Sequence, residues 1–178
     1  MKHVQNLPIH VCAHSIVEFL GEDVDVSSYV NVVVQDEQFP PPIRQGVFAP
    51  LFKAHALEVA GREFKIDYQR YYNIEKEGRL VWVSAYNRDD GTPIGYASGF
   101  IYSDLHFSER VAVDDLWFVL PAFRNKGLGF AMKNLEHRIL KEMGALRVYD
   151  TIRANFYHPG LMRKLGFDIG AYRWVKEL

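Results

Sequence analysis

The chain has 178 residues, of which 48% are hydrophobic and 14% aromatic, the size and composition of one globular unit with a substantial core rather than of a disordered segment. Its 21 basic residues nearly cancel its 22 acidic ones, so no overall field argues for nonspecific binding to nucleic acid or to an anionic membrane. Cys12 is the only cysteine, which excludes an intramolecular disulfide, and no apolar run nears the ~20 residues of a membrane span. The N-terminus, with His3, Gln5, Asn6 and Pro8, lacks a signal-peptide pattern, and a soluble cytoplasmic protein is expected.

Residues 1–27 read as an N-terminal extension to a single domain over 28–178. Val11 to Leu20 is compatible with a short helix closed by Gly21. His10, His14 and Glu18 would share one face of it, but with no fourth ligand or motif context they are not read as a metal site, and no metal is expected. The β-branched run from Tyr29 to Val34 predicts a strand, and Pro40-Pro41-Pro42 a stiff extended connector. Phe48 to Ala60 predicts a helix stopped by Gly61. Asp67 to Glu77 predicts a second, stopped by Gly78, whose Tyr68, Tyr71 and Tyr72 read as core or groove wall. Leu80 to Tyr86 and Ile94 to Ile101, joined by Arg88-Asp89-Asp90-Gly91, have the pattern of a β-hairpin, and Val111 to Val119 supplies the next strand.

The chain is organised around Asp114 to Gly144. An apolar strand runs into Leu120-Pro121, then Arg124-Asn125-Lys126-Gly127-Leu128-Gly129, then a long helix. Leu128, Ala131, Met132, Leu135, Ile139, Leu140 and Met143 fall at the spacing of one buried face, which leaves Lys133, Asn134, Glu136, His137, Arg138 and Lys141 to the other side, with Gly144 as the stop. A helix start offers unpaired N–H groups and the positive end of a dipole, and glycines there let an anion come close, so this is a phosphate cradle. The dinucleotide fingerprint needs a glycine where Met132 stands, and the nucleoside-triphosphate loop needs Gly-Lys-Ser/Thr where Phe130 follows Gly129, so both nucleotide motifs fail on residues. Beyond the helix, Leu146 to Ile152 predicts a strand, Leu161 to Leu165 a short helix and Ile169 to Val175 a terminal strand.

The stretch Val119-Leu120-Pro121 followed by Arg124 to Gly129 resembles the acetyl-CoA loop of the GNAT superfamily of N-acetyltransferases, whose pattern is Arg/Gln-x-x-Gly-x-Gly/Ala. Asn155 and Leu161-Met162-Arg163-Lys164-Leu165-Gly166-Phe167 resemble that family's C-terminal segment, so the likeness covers Phe48 to Leu178. His55, Glu58, Asp115 and Lys176-Glu177-Leu178 also look like features of compact members encoded by tailed bacteriophages, which would put the protein in a host cytoplasm.

The resemblance implies an α/β (α+β) fold with a mixed central sheet, splayed between the fourth and fifth strands, and helices on both faces. It implies acetyl-CoA as co-substrate and direct transfer of the acetyl group to a primary amine on a small molecule or a protein. In that scheme the main chain of Asn125, Lys126, Gly127, Leu128 and Gly129 would hold the pyrophosphate, with charge from Arg124 and Lys126. Main-chain groups of Trp117 and Val119 would pair with the pantetheine arm and the acetyl carbonyl, and Asn155 would bind a pantetheine amide. Asp115 is the expected base, and strand alternation puts it on the same side as Trp117 and Val119 unless a bulge intervenes. His55, Glu58 and His106 are expected to contact the acceptor. The family's proton-donating tyrosine is replaced by Met162, whose thioether cannot donate, which shifts the general-acid role to Tyr157 or Tyr149, or to solvent. The alternative function is a catalytically weak CoA-binding interaction or regulatory module; near-neutral charge counts against a nucleic-acid-binding role. A homodimer is left open.

Overall fold

The computed structural model describes residues 31–34, 46, 48–87, 89–150 and 159–168. The expected N-terminal helix, the His10, His14 and Glu18 face, Asn155, Tyr157 and the strand from Ile169 to Val175 lie outside the described residues.

The first strand, β1, is Asn31–Val34. Helix α1, Ala49–Ala60, opens with a proline in its first turn and ends at Gly61 in the left-handed conformation. Helix α2, Tyr68–Lys76, is capped by Asp67, whose carboxylate accepts from the Arg70 N–H at 3.0 Å. The hairpin forms as expected from β2, Leu80–Tyr86, and β3, Pro93–Ser103, and β4 follows at Arg110–Val119. A turn of 3₁₀-helix at Pro121–Phe123 leads to α3, Leu128–Glu142, then β5, Arg147–Tyr149, and α4, Pro159–Lys164.

The sheet order is β1-β2-β3-β4-β5. The first three pairings are antiparallel and β4 pairs β5 in parallel, so the sheet is mixed, and α3 is the crossover that a parallel pair requires. Both faces of the sheet are covered, which is why β2 reads as a continuous apolar run instead of alternating. On one face Val81, Val83, Ala85, Ala97, Ala112 and Val119 pack against Leu128, Ala131, Met132, Leu135, Ile139 and Leu140 of α3. On the other, Trp82, Tyr96 and Phe118 pack against Phe48, Leu51 and Phe52 at the start of α1. Met132 and Leu140 are fully buried, so truncating either to alanine should cost about 2–5 kcal/mol.

Two irregularities in β4 position the site. Its pairing with β5 covers only Val111 to Val113 against Arg147 to Tyr149, so among the described residues the edge from Asp114 onward has no neighbouring strand, which agrees with the expected splay. Its register with β3 slips as well: Ser98 opposes Leu116, but Gly99 opposes Asp114, which leaves Asp115 as the extra residue of a β-bulge. The bulge resets the alternation. Ala112 and Asp114 face α3 before it, Trp117 and Val119 face α3 after it, and Asp115 and Phe118 turn to the α1/α2 face. Asp115 and Trp117 therefore lie on opposite faces, which corrects the simple alternation expected from the sequence.

Candidate active site

The unpaired edge of β4 forms the floor of a cleft of about 850 Å³. Trp117, Gly127, Gly129, Lys133 and Met162 line its α3/α4 side, and His55, Glu58, Phe64, Asp115 and Phe118 its α1/α2 side.

The α3 side is mostly main chain. Gly127 is the N-cap of α3 at φ +79°, a conformation that suits glycine, and Asn125 before it is left-handed at φ +62°. The helix starts with no side-chain cap and no acidic residue in its first turn. Its first intrahelical bond runs from the Ala131 N–H to the Gly127 carbonyl at 2.9 Å, which leaves the N–H groups of Leu128, Gly129 and Phe130 at the open end of the dipole. Those donors fit a phosphate. Gly129 serves a second purpose the sequence did not disclose: a Cβ there would lie 3.2 Å from the Trp117 indole, so its bareness seats that ring against the helix start. The Leu128 side chain is core, so only its backbone can serve a ligand.

Arg124 is placed differently from the expectation. Its Nε donates to the Val119 carbonyl at 2.8 Å, its Nη2 pairs with Glu58 at 2.7 Å, and its guanidinium lies 5.4 Å from the centre of the Phe118 ring. The guanidinium ties the end of β4 to α1, and the Val119 carbonyl already has an intramolecular donor. Lys126 is not among the cleft-lining residues.

The α1/α2 side is aromatic and acidic. His55 Nδ1 lies 2.6 Å from the Tyr96 hydroxyl, and its ring stacks on Phe118 at 4.9 Å. Burial, only partly offset by Glu58, lowers its pKa to about 4, so the imidazole is neutral at pH 7. The Tyr71 hydroxyl donates to Asp115. Asp115 is exposed to the open cleft, yet desolvation by the cleft walls raises its carboxyl above the usual range against that hydrogen bond, and burial together with the carboxylate raises the Tyr71 phenol, which stays protonated.

The inner wall of the cleft, where Asp114 and Lys133 line it, holds a buried charged cluster. Lys133 Nζ reaches Asp114 at 2.9 Å and Glu136 at 2.8 Å, and His137 Nε2 reaches Asp114 at 3.1 Å. Lys133 is 1% exposed and Glu136 0%, so neither is on the solvent side where the helical pattern put them. Burial pushes Glu136 up to about 8. It opposes the charge on Asp114 too, but His137 and Lys133 hold that carboxyl below its ordinary range. Asp114, Glu136 and His137 offer atoms within 4.8 Å of one another, the spacing of a cation site, and the Lys133 ammonium already provides a positive charge there.

The structure thus brings His55, Glu58, Asp115, Trp117, Val119, Arg124, Asn125, Gly127 and Gly129 to one cleft. It does not bring His106, which lies in the turn before β4, at the far end of that strand from the cleft, where its N–H donates to Asp104 at 2.8 Å. Met162 lines the cleft, as its place in the motif implied, and Tyr149 does not. Sequence reasoning missed Tyr71 as a partner of Asp115, and Asp114, Lys133 and Glu136 as a buried unit. A signal for the second was present: Gly129, Lys133 and Glu136 recur at helical spacing and run into Leu140 of the apolar face.

A mixed sheet opened beside β4, with an uncapped glycine helix start at the opening and a carboxylate across from it, offers a place for an anion next to an acidic group. The model of the acetyltransferase (GNAT) family matches residues 48–167, and the chain belongs to that family and is an N-acetyltransferase. Among solved structures it is similar to a ribosomal-protein-alanine N-acetyltransferase from Brucella melitensis, at 16% identity and TM-score 0.61, over 84% of this chain and 97% of that one. It is similar to glucosamine-6-phosphate N-acetyltransferase from Arabidopsis thaliana, at 16% identity and TM-score 0.62, over 82% and 97%. An aminoglycoside acetyltransferase from an uncultured soil metagenomic sample, solved with sisomicin, gives 11% identity and TM-score 0.63 over 86% and 97%. At these identities the likeness is one of fold. No curated protein matches the sequence. Among the described residues no helix is long and apolar enough to cross a membrane.

Proposed function

We propose that the protein moves the acetyl group of acetyl-CoA directly to a primary amine, with Asp115 as the base. The observation that carries this is the β4 bulge: it turns a carboxylate of raised pKa into the cleft next to the unpaired strand edge, opposite the uncapped start of α3. The N–H groups of Leu128, Gly129 and Phe130 would hold the donor's phosphates, and its thioester supplies an activated acetyl group. Trp117 would offer its free edge to the pantetheine arm, with Val119 contributing its N–H, because Arg124 already occupies its carbonyl.

An acceptor amine arrives as an ammonium. Asp115 would attract it and, with a carboxyl raised by desolvation in the cleft, take its proton directly or through water, leaving a neutral nucleophile. Neutral His55, stacked on Phe118 with Phe64 edge-on beside it, would accept or donate a hydrogen bond without repelling the cation. Glu58, balanced by Arg124, would shape the acceptor side. With Met162 in the cleft wall, the departing thiolate would be protonated by Tyr157 or by solvent. The acceptor class this favours is a small cationic amine with an apolar or flat body, and the single Cys12 suits a reducing cytoplasm.

The test is release of free thiol from acetyl-CoA in the presence of a pooled panel of amines and proteins. Turnover with cationic amines is expected. CoA binding in calorimetry without turnover on any amine would instead support the weak CoA-binding module.

A further inference from the structure

We propose that Asp114, Lys133, Glu136 and His137 form a positioning device that fixes the β4 bulge, and with it the place of Asp115. This rests on the role given to Asp115 above. Each strand residue beside the bulge has its own anchor. Asp115 is held by Tyr71 from α2, and Asp114, its immediate neighbour, is held from the opposite face by Lys133 and His137 of α3. Adjacent residues face opposite ways in any strand, but Asp114 and Trp117, three apart, both face α3, which the bulge provides and a regular strand does not. Loss of the pull on Asp114 frees residues 110–115 to slip one place against β3 while 116–119 hold their register, which would carry Asp114 away from α3 and Asp115 onto the α3 face.

The surroundings are fitted to the cluster. Gly99, the residue paired with Asp114, has no room for a side chain: a Cβ there would lie 2.6 Å from Glu136 Oε1 and 2.9 Å from the Val113 carbonyl. The bare strand at Gly99 lets Glu136 reach in beneath the bulge and grip Lys133. Lys133 Nζ also lies 5.8 Å from the centre of the Trp117 ring, which itself covers Gly129, so one ammonium touches both the bulge and the side chain against the phosphate loop. Stability does not account for this arrangement. Asp114 Oδ1 and Glu136 Oε1 are buried and find no hydrogen-bond partner among the described residues, and buried ion clusters of this kind are often replaced by apolar groups with no loss of stability.

That last property gives the test. A variant with Asp114→Leu, Lys133→Met and Glu136→Met keeps the volume and removes the charges, and Lys133→Met alone is the simpler partner. Calorimetric CoA affinity, kcat, melting temperature and amide exchange of the 113–118 segment are measured, with 80–86 in β2 as the internal control. The triple variant is expected to melt no lower than the parent and to bind CoA within about twofold, while kcat falls between tenfold and on the order of 100-fold, the scale of a misplaced reacting group. Exchange at 113–118 should rise while that at 80–86 stays constant. Asp115→Asn added to the triple variant should bring little further loss, because the carboxylate has already moved. A folded triple variant with unchanged kcat and unchanged exchange at 113–118 overturns the proposal. If Asp115→Asn alone is silent, the base assignment fails, and the exchange measurement still decides whether the cluster fixes the bulge.

Discussion

On the α3 side of the cleft the groups proposed to hold the donor are main chain: N–H groups at a helix start, a left-handed glycine and a strand edge. Across β4 it is carried by side chains drawn from separate elements, with His55 and Glu58 from α1, Tyr71 from α2, Asp115 from β4 and Arg124 from the loop. A site made of backbone depends on local chain path, so a short motif specifies it. A site made of side chains depends on how distant elements pack, and many residue sets satisfy the same geometry. The first kind suits a donor common to many enzymes, the second an acceptor that differs among them.

The sharpest way to break this contrast is Gly127→Glu. It forces a side chain into φ +79° and sets a carboxylate at the anion site, so CoA affinity should fall on the order of 100-fold or more in calorimetry. Retained affinity would mean that the helix start is not the phosphate cradle. Asp115→Asn probes the other side: kcat should drop about 100-fold with CoA affinity unchanged, the scale of a lost general base. Equal loss of both would make Asp115 structural.

A smaller effect concerns the pH dependence of stability. Glu136 titrates near 4.5 when unfolded and near 8 when folded, so over that window the folded state holds a proton that the unfolded state has released. Its contribution therefore erodes stability as pH rises from about 4.5 to about 8, with Asp114 and Lys133 as the charges that face it. Glu136→Gln should flatten that slope in melts taken across the window; an unchanged slope would show that Glu136 is ionised throughout. The smallest effect is expected from Met162→Tyr. If thiolate loss needs no dedicated acid, kcat should change by less than about threefold, and a larger gain would identify the thioether as the weak point of the donor side.

Much of this was legible in the residues. The strand, the Pro121 step, the glycines and the periodicity of α3 are local, and they were enough to read the open glycine start of the helix and the fold around it. The bulge was not legible, because it is a relation between β3 and β4: nothing in Asp114-Asp115 says which of the two pairs with Gly99. The pattern of α3 misplaced Lys133 and Glu136 for a related reason, since charge stands for exposure only until a partner such as Asp114 arrives from another element. Arg124 was read by its motif as a phosphate ligand, and its ties to Val119 and Glu58 depend on where α1 packs. His106 was near Asp115 in sequence, but an extended strand carries it away from the cleft.

The Trp117 indole, seated on Gly129 and below the Lys133 ammonium, also acts as a built-in optical reporter. Its emission should respond when an anion settles on the helix start, so donor binding could be followed in the unlabelled protein, in real time and at concentrations too low for calorimetry. Comparison with a Trp117→Phe variant would isolate that signal from the emission of the buried Trp82 and of Trp174.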